Sequence, residues 1–299
     1  MPLSSMCFFG VFKKKMNGLI KLIRPRQWIK NMFVLAPLIF SGEFLNIDYV
    51  GKAFVAMCLF CVASSAAYIV NDIFDVNRDR LHPKKMKSRP LASGEVSVKE
   101  AIILLLILYI VLIVGWHYAS QILSIMALYL IMNFLYTFSL KRAPVVDIFI
   151  IAIGFVMRVY VGTVALELPV SSWMLITTLC LALFLASVKR RQELCQSGSE
   201  GRDVLEKYTI PLVDRYAEMS AIGALMFYSM FVMSTRPVLA VTVPMVLFGL
   251  FRYWYVVEIH EEGESPTDAL LLDWPLLVTV IAWGVSCGLI LWPMSAGVQ

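Results

Sequence analysis

The sequence predicts an all-α membrane protein that crosses the bilayer many times, and two observations support this prediction. The first is composition: 60% of the 299 residues are hydrophobic and only 16% are charged, whereas soluble domains carry about 25% charged residues. The second is that apolar stretches recur along the whole chain, close to the ~20 residues that a helix needs to cross a bilayer. The short alternating segments typical of membrane β-barrels are not visible.

Nine apolar spans follow one another along the sequence. The first is short and contains Pro37, which predicts a kinked or tilted entry because proline interrupts helical hydrogen bonding. The remaining eight have lengths closer to that of a regular transmembrane helix. The nine spans are residues 28–42, 51–70, 98–117, 121–140, 144–164, 172–189, 216–234, 237–257 and 274–293.

The connectors between the spans differ strongly in charge. Because successive spans alternate sides, the charged connectors fall on one face together with the N-terminus, and basic residues are retained on the cytoplasmic side. We therefore expect a bacterial inner (cell) membrane protein with its N-terminus inside and its C-terminus outside. Residues 1–21 are predicted to be a basic cytoplasmic segment, and residues 22–299 a single transmembrane catalytic domain. The charged connectors are residues 71–97, 141–143, 190–215 and 258–273.

A cluster of acidic residues follows the second span directly. Asp72, Asp75 and Asp79 are spaced i, i+3 and i+7, so they share one face of a helix. Three carboxylates on one face repel each other unless a cation lies between them, and Mg²⁺ commonly bridges one or two carboxylates to substrate phosphates. The spacing therefore indicates a magnesium-diphosphate site, assisted by Asn71. The alternative is a solvated helix end at the membrane surface.

Basic residues follow the acidic cluster, in the segment from His82 to Gly94. They could simply enforce membrane topology. Beside a carboxylate cluster, however, they also fit an anion clamp in which Lys84 and Arg89 hold the phosphate oxygens that the metal leaves unbound.

Two stretches of the sequence resemble a known family. Leu22–Asn31 reads LIRPRQWIKN, and Asn71–Gly94 contains the pattern N-D-x-x-D-x-x-x-D-R-x-H-P-x-K-x-x-x-R-P-x-x-S-G. Together they resemble the UbiA-type prenyltransferase superfamily, and more narrowly its polyprenyl-phosphate (decaprenyl-phosphate) phosphoribosyltransferase branch. The resemblance extends from about Leu22 to Leu291. It implies nine transmembrane helices around a central cavity that opens laterally to lipid.

The loop after the sixth span departs from the aromatic prenyltransferases of this superfamily, which carry a second aspartate-rich motif there. Here Lys189–Leu194 reads KRRQEL, and no D-x-x-D-D follows before Thr209. Fewer carboxylates and more cations suit substrates with phosphate that no metal carries, such as phosphoribosyl diphosphate and a polyprenyl phosphate. The alternative is positive charge that serves only membrane topology.

Two positions near the middle of the chain remain open in their role. Arg158 lies inside the fifth span, where an ionisable residue is costly and functional by default. It shares a helical face with Asp147 and Gly154, which suggests that this face lines the cavity, although Arg158 could instead bond carbonyls of neighbouring helices. Tyr136 and Lys141 end the fourth span near the cytoplasmic opening. Lys141 is a candidate for contact with a substrate phosphate, and this role stays open.

The remaining candidates for metal binding are weak. The acidic residues between Glu258 and Asp273 lack helical spacing, so they indicate a solvated or gating loop and not a metal site. The six cysteines do not cluster with the three histidines, so structural zinc and a disulfide framework are not expected.

These features predict a Mg²⁺-dependent glycosyltransferase that moves the 5-phosphoribosyl group from phosphoribosyl diphosphate to a polyprenyl phosphate, releasing diphosphate and giving a lipid-linked phosphoribose for cell-envelope glycans. One alternative is a UbiA-type prenyltransferase acting on an aromatic or other small acceptor. The other is a transporter or lipid-binding protein without catalysis, which would usually carry its charged site near the midplane. No nucleic-acid partner is expected, and the oligomeric state is left open.

Asp72, Asp75 and Asp79 are the predicted catalytic and metal residues. The predicted substrate contacts are Arg24, Lys30, Asn31, Asn71, Arg80, Lys84, Arg89, Tyr136, Lys141, Arg158, Lys189, Arg190, Glu193 and Tyr208.

Overall fold

A computed structural model of the chain describes residues 15–81, 83–197, 204–260, 269–270 and 272–295. Every regular element within these residues is a helix, so the all-α fold class is confirmed. A short helix α1 covers residues 15–22, and a 3-10 helix follows at Pro25–Leu35. The α-helices after it are α2 (Ala36–Ser41), α3 (Ile47–Leu81), α4 (Pro83–Ser88), α5 (Pro90–Ser93), α6 (Val98–Trp116), α7 (Ser120–Phe138), α8 (Val146–Ala165), α9 (Ser172–Ser197), α10 (Ile210–Thr235), α11 (Val243–His260) and α12 (Trp274–Ser295).

Eight helices in the described part of the chain are long and apolar enough to cross a membrane. They correspond to the second to ninth predicted spans, and the chain is accordingly a multi-pass membrane protein. Helices α3 and α9 run beyond their predicted ends, to Leu81 and Ser197. Both continue through charged residues, because charge takes a helix out of the apolar layer without breaking its backbone hydrogen bonds.

The first predicted span, for which Pro37 predicted a kinked or tilted entry, is not one regular α-helix. It consists of the 3-10 helix Pro25–Leu35 and the short α2, and the change of helix type lies next to Pro37. A 3-10 helix rises about 2.0 Å per residue against about 1.5 Å for an α-helix, and it is also narrower. The missing side chain of Gly162 in α8 permits close packing, because a Cβ atom there would lie 2.0 Å from the carbonyl oxygen of Val34.

The described residues form two compact units, each with its own packing. The first comprises residues up to Asn31 together with Met57–Phe138. In this unit the first turns of the 3-10 helix run antiparallel to α3: Trp28 Nε1 donates to Ser65 Oγ (3.1 Å), and Asn31 Nδ2 donates to Ser64 Oγ (3.1 Å). Trp28 precedes Asn31 in the chain, yet its partner Ser65 follows Ser64, the partner of Asn31. The two segments therefore run in opposite directions.

The second unit comprises Met32–Ala56 and the residues from Ser139 onward. Ion pairs link its helices at one end, where Arg191 of α9 pairs with Asp214 of α10 (2.8 Å) and Glu258 of α11 (2.7 Å). Arg252 donates to both carboxylate oxygens of Asp273 (3.0 and 2.8 Å). Glu258 and Asp273, which the prediction of a solvated or gating loop included, therefore pair with arginines of this unit, and Glu258 is exposed as that prediction expects. Residues 261–268 of that loop lie outside the described residues.

Candidate active site

An ion-paired cluster at the end of α3, here called the Asp72 cluster, consists of Asp72, Asp79, Arg24 and Arg89. Both carboxylates are only 2% exposed. Arg89 Nη1 donates to Asp72 Oδ1 at 3.0 Å and also contacts Asp79 Oδ2, while Arg24 Nη2 donates to Asp72 Oδ1 at 2.5 Å. The i, i+7 spacing does place Asp72 and Asp79 together, and two guanidinium groups offset the cost of burying them.

Local backbone geometry directs both arginines to the cluster. Arg24 has a positive φ of 53°, which is uncommon for a residue other than glycine, and its guanidinium lies 5.0 Å from the ring centroid of Tyr68. Arg89 is the N-cap residue of α5, with extended backbone (φ −100°, ψ 123°) before Pro90, as proline favours in the residue that precedes it. Neither the strained backbone of Arg24 nor the ring of Tyr68 was foreseen in the sequence.

The donor set of this cluster fits a divalent cation. The Arg89 guanidinium already lies between Asp72 and Asp79, so positive charge is accommodated between the two buried carboxylates. Among the residues that the structure describes, no group of three or more His, Cys, Asp or Glu side chains is arranged to hold a metal ion. Two carboxylates are nevertheless sufficient for Mg²⁺ when substrate phosphates complete its coordination. Asp75, the third predicted ligand, is half-buried.

The other predicted residues of the first unit differ in exposure and in their contacts. Asn71 is half-buried, and its Oδ1 accepts a hydrogen bond of 3.5 Å from Thr137 Oγ1, a partner that the sequence did not single out. Tyr136 and Lys30 are half-buried, whereas Arg80 is exposed. The side chain of Lys84 and the whole of His82 lie outside the described residues.

The second unit contains a separate buried network, here called the Asp147 cluster: Asp147, Arg190, Glu193 and Tyr208. Asp147 and Arg190 are both 0% exposed. Asp147 Oδ2 accepts from Arg190 Nε at 2.6 Å, and its Oδ1 accepts from the Tyr208 hydroxyl at 2.7 Å. Arg190 Nη1 also donates to Glu193 Oε2 at 2.5 Å. The guanidinium of Arg190 is thus engaged by two carboxylates inside the protein, and Asp147, expected to line a cavity, has both oxygens bonded within this network.

The Tyr208 hydroxyl reaches a strained residue next to this network. It accepts a hydrogen bond of 2.5 Å from the backbone N–H of Val145, the N-cap residue of α8, at φ 69° and ψ −47°. This conformation is close to the rare γ-turn, and for a β-branched side chain it costs about 1–3 kcal/mol. Burial raises the pKa of Tyr208 above its ordinary value, so the hydroxyl remains protonated and continues to donate to Asp147.

The other predicted residues of the second unit have mixed surroundings. Lys141 is half-buried in the short 3-10 turn Leu140–Arg142. Lys189 Nζ lies 3.9 Å from Glu193 Oε1. Arg158 is buried, donates to the carbonyl oxygen of Gly154 at 2.6 Å, and lies 5.2 Å from the ring of Phe155. This bond lies within its own helix.

Known proteins resemble this chain over nearly its whole length. The decaprenyl-phosphate phosphoribosyltransferase of Mycolicibacterium smegmatis is 34% identical over 295 residues, which cover 92% of each chain. The protein of the same name from Mycobacterium tuberculosis is 33% identical over 283 residues, covering 91% of this chain and 93% of the relative. A UbiA homologue from Archaeoglobus fulgidus, solved with GPP and Mg²⁺, superposes with a TM-score of 0.70. At 17% identity over 91% of this chain and 98% of that one, it supports the fold alone.

The fold and the Asp72 cluster define a multi-pass helical membrane protein with a buried acidic site that accommodates positive charge. Residues 32–271 match the UbiA prenyltransferase family. The chain belongs to this family.

Proposed function

We propose that the protein transfers the 5-phosphoribosyl group from phosphoribosyl diphosphate to a polyprenyl phosphate. The observation that carries this proposal is the similarity, at 33–34% identity over more than nine-tenths of the chain, to relatives that are named for this transfer. Arg24 and Arg89 beside Asp72 support it, because a donor and an acceptor that both carry phosphate need more cationic partners than a prenyl diphosphate alone. The carboxylates of the Asp72 cluster support it as well, because a diphosphate donor needs acidic residues that hold its Mg²⁺.

The acidic residues have a defined part in this proposal. Asp72 and Asp79, with help from Asp75 and Asn71, would hold Mg²⁺ against the diphosphate of the donor. When bound, Mg²⁺ makes diphosphate a better leaving group by stabilising the negative charge that develops on it.

The basic residues hold phosphate, and the reaction needs no strong base. Diphosphate leaves with the electron pair of its bond to the ribosyl carbon, and an oxygen of the polyprenyl phosphate forms the new bond to that carbon. That oxygen is already ionised, so no proton has to be removed from it. We assign the donor phosphates to Lys84, Arg89 and Lys189, and the phosphate head of the acceptor to Arg24 and Lys30. We propose that Lys141 contacts a substrate phosphate. We also propose that Arg80, Asn31, Tyr136 and Arg158 contact a substrate.

We also propose that the site faces the cytoplasm. The basic connectors all fall on one side if the segment Pro25–Ser41 makes a ninth crossing, which gives an inside N-terminus and an outside C-terminus. The partners of this segment on α3 support such a crossing, since they run from Asp72 back to Ser64 as the segment proceeds from Arg24 to Asn31.

The test of the function is a transfer assay with two arms. Protein reconstituted in liposomes with Mg²⁺ and a polyprenyl phosphate receives phosphoribosyl diphosphate labelled in its ribose, and extraction into organic solvent should carry the label with the lipid. The second arm offers a labelled prenyl diphosphate and an aromatic acid. Label in the lipid only in the first arm supports the proposal, whereas transfer only in the second arm identifies a prenyltransferase, and transfer in neither argues against catalysis of either kind.

The pairing of Arg89 with both carboxylates leads to a prediction about metal binding. Arg89→Gln removes one positive charge from between Asp72 and Asp79, so Mn²⁺, as a probe for Mg²⁺, should bind about tenfold or more tightly without substrate. Electron paramagnetic resonance of free Mn²⁺ measures this affinity directly. The rate of phosphoribosyl transfer should fall, because the same guanidinium holds a donor phosphate.

Arg26→Gln is the matched control for this experiment. Arg26 lies two residues after Arg24 of the Asp72 cluster, but it is exposed, and its replacement should leave both Mn²⁺ affinity and transfer unchanged. Unchanged or weaker Mn²⁺ binding in Arg89→Gln would show that Arg89 does not compete with metal for these carboxylates.

A further inference from the structure

The backbone of Val145 needs a group that holds it in place. Its positive φ of 69° lies in the region that favours glycine, yet the residue is valine. Two neighbours constrain the chain before it, because Pro144 has a fixed φ and Ala143 is extended, as a residue before proline prefers. On the other side, the carbonyl oxygen of Val145 accepts hydrogen bonds from Ile148 (3.1 Å) and Phe149 (3.0 Å) at the start of α8.

The partner of the Val145 N–H is a side chain that is itself held from behind. The Tyr208 hydroxyl accepts this N–H at 2.5 Å and donates to Asp147 at 2.7 Å, and Asp147 is fixed in turn by Arg190 at 2.6 Å. Tyr208 is 5% exposed, and it packs with Ile148 and Val213 in one apolar cluster. The hydroxyl is thus oriented by a carboxylate and an apolar pocket before it meets the backbone.

The strained residue follows a cationic turn. The 3-10 turn Leu140–Arg142 carries Lys141 and Arg142, and a chain of backbone hydrogen bonds leads from it to α8: Arg142 N–H to Ser139 (3.2 Å), Ala143 N–H to Leu140 (3.1 Å) and Asp147 N–H to Ala143 (3.1 Å). A change of dihedral angle at Val145 would therefore alter the direction in which this turn enters α8.

We propose that Tyr208 is a positioning residue: its hydroxyl, oriented by Asp147 and Arg190, holds Val145 at positive φ and so fixes the turn Leu140–Arg142 for a substrate phosphate. This inference rests on the proposed phosphoribosyl transfer and assigns Tyr208 a role that differs from direct substrate contact. Arg190 then acts through Asp147 and Tyr208 and does not contact the phosphate itself.

Tyr208→Phe is the first variant of the test, because it keeps the ring in its pocket and removes only the hydroxyl. The KM for phosphoribosyl diphosphate should rise about tenfold, corresponding to one lost positioning interaction, while kcat changes less. Tyr216→Phe is the matched control: Tyr216 borders the same apolar cluster, and losing its hydroxyl should leave KM unchanged. An unchanged KM in Tyr208→Phe would overturn the proposal.

Val145→Gly provides the rescue. Glycine adopts positive φ as readily as negative φ, so a glycine here removes the need for a group that holds the strained backbone. Adding Val145→Gly to Tyr208→Phe should return KM to within roughly threefold of the wild-type value. Failure of the double variant to recover would mean that Tyr208 acts by touching substrate or by general packing, and would also overturn the proposal.

A measurement without substrate separates this inference from the proposed function. Hydrogen exchange of the peptide that contains Val145 should be at least about tenfold faster in Tyr208→Phe, because its amide loses its partner, while α9 and α10 exchange as in wild type. If wild-type protein transferred no phosphoribose, the proposed function would fail, but faster exchange would still support the link from Tyr208 to Val145. Unchanged exchange would refute that link whether or not the protein is active.

Discussion

Asp72→Asn is expected to lower the rate of phosphoribosyl transfer roughly a thousandfold, which corresponds to about 4 kcal/mol of transition-state stabilisation. Asparagine keeps the shape of the side chain and one oxygen, but it cannot offer Mg²⁺ a negative charge. Arg24 and Arg89 then lose the negative charge of the side chain that both of them contact. The initial rate at saturating Mg²⁺ and both substrates is the measurement.

The control for this variant lies on the same helix. Asp48 is exposed in the first turn of α3, far along the chain from the cluster, and Asp48→Asn should transfer phosphoribose at the wild-type rate. Both variants should elute as the wild-type protein does in size-exclusion chromatography, which separates lost chemistry from lost folding. Near wild-type activity in a correctly folded Asp72→Asn protein would remove Asp72 from the metal site.

Arg190→Met should have the largest effect on stability. It leaves the buried Asp147 without its cationic partner at 2.6 Å and Glu193 without its partner at 2.5 Å. Breaking a buried ion pair on one side costs about 3–5 kcal/mol, so the melting temperature in detergent should fall by on the order of 10 °C. Thermal unfolding followed by intrinsic tryptophan fluorescence measures this change.

Two further variants show whether buried charge is the cause of that loss. Lys189→Met, one residue earlier on α9, breaks a long 3.9 Å pair with Glu193 and should cost less than about 1 kcal/mol. The double variant Asp147→Asn/Arg190→Met removes both charges and should recover much of the loss, because a neutral pair carries a smaller desolvation penalty. A melting temperature that Arg190→Met left unchanged would contradict the arrangement of the whole Asp147 cluster.

Much of the fold could be predicted because a helix that crosses a bilayer needs about 20 consecutive apolar residues, and such stretches are visible in the sequence. Apolar stretches of fixed length identify α6 and α7 to within two residues of their ends. The acidic pattern at the end of α3 could be read in the same way, since the helical period alone puts Asp72 and Asp79 on one face. The ends of α3 and α9 were harder to predict, because charged residues mark where the membrane ends and not where the helix ends.

The remaining features depend on tertiary contacts that no local pattern records. Asp147 and Arg190 are 43 positions apart in the chain. The bases of the Lys189–Leu194 stretch suggested phosphate binding because three of their acidic partners, Asp147, Asp214 and Glu258, lie far from them in the sequence. One signal was available: an aspartate at the start of an apolar span needs a buried partner. The positive φ of Val145 had no signal of this kind, since valine normally indicates regular extended or helical backbone.

The unbroken course of α3 restricts how its length can vary among related proteins. A single residue inserted between Ser65 and Asn71 would turn Asp72 by about 100° around the helix axis, away from Arg24 and Arg89, while moving it only about 1.5 Å along the axis. Seven inserted residues would restore its direction to within about 20° but displace it by about 10 Å. Insertions and deletions should therefore be rarer in this 35-residue helix than in the connectors, and natural variation in membrane thickness would have to be accommodated by tilt and not by length.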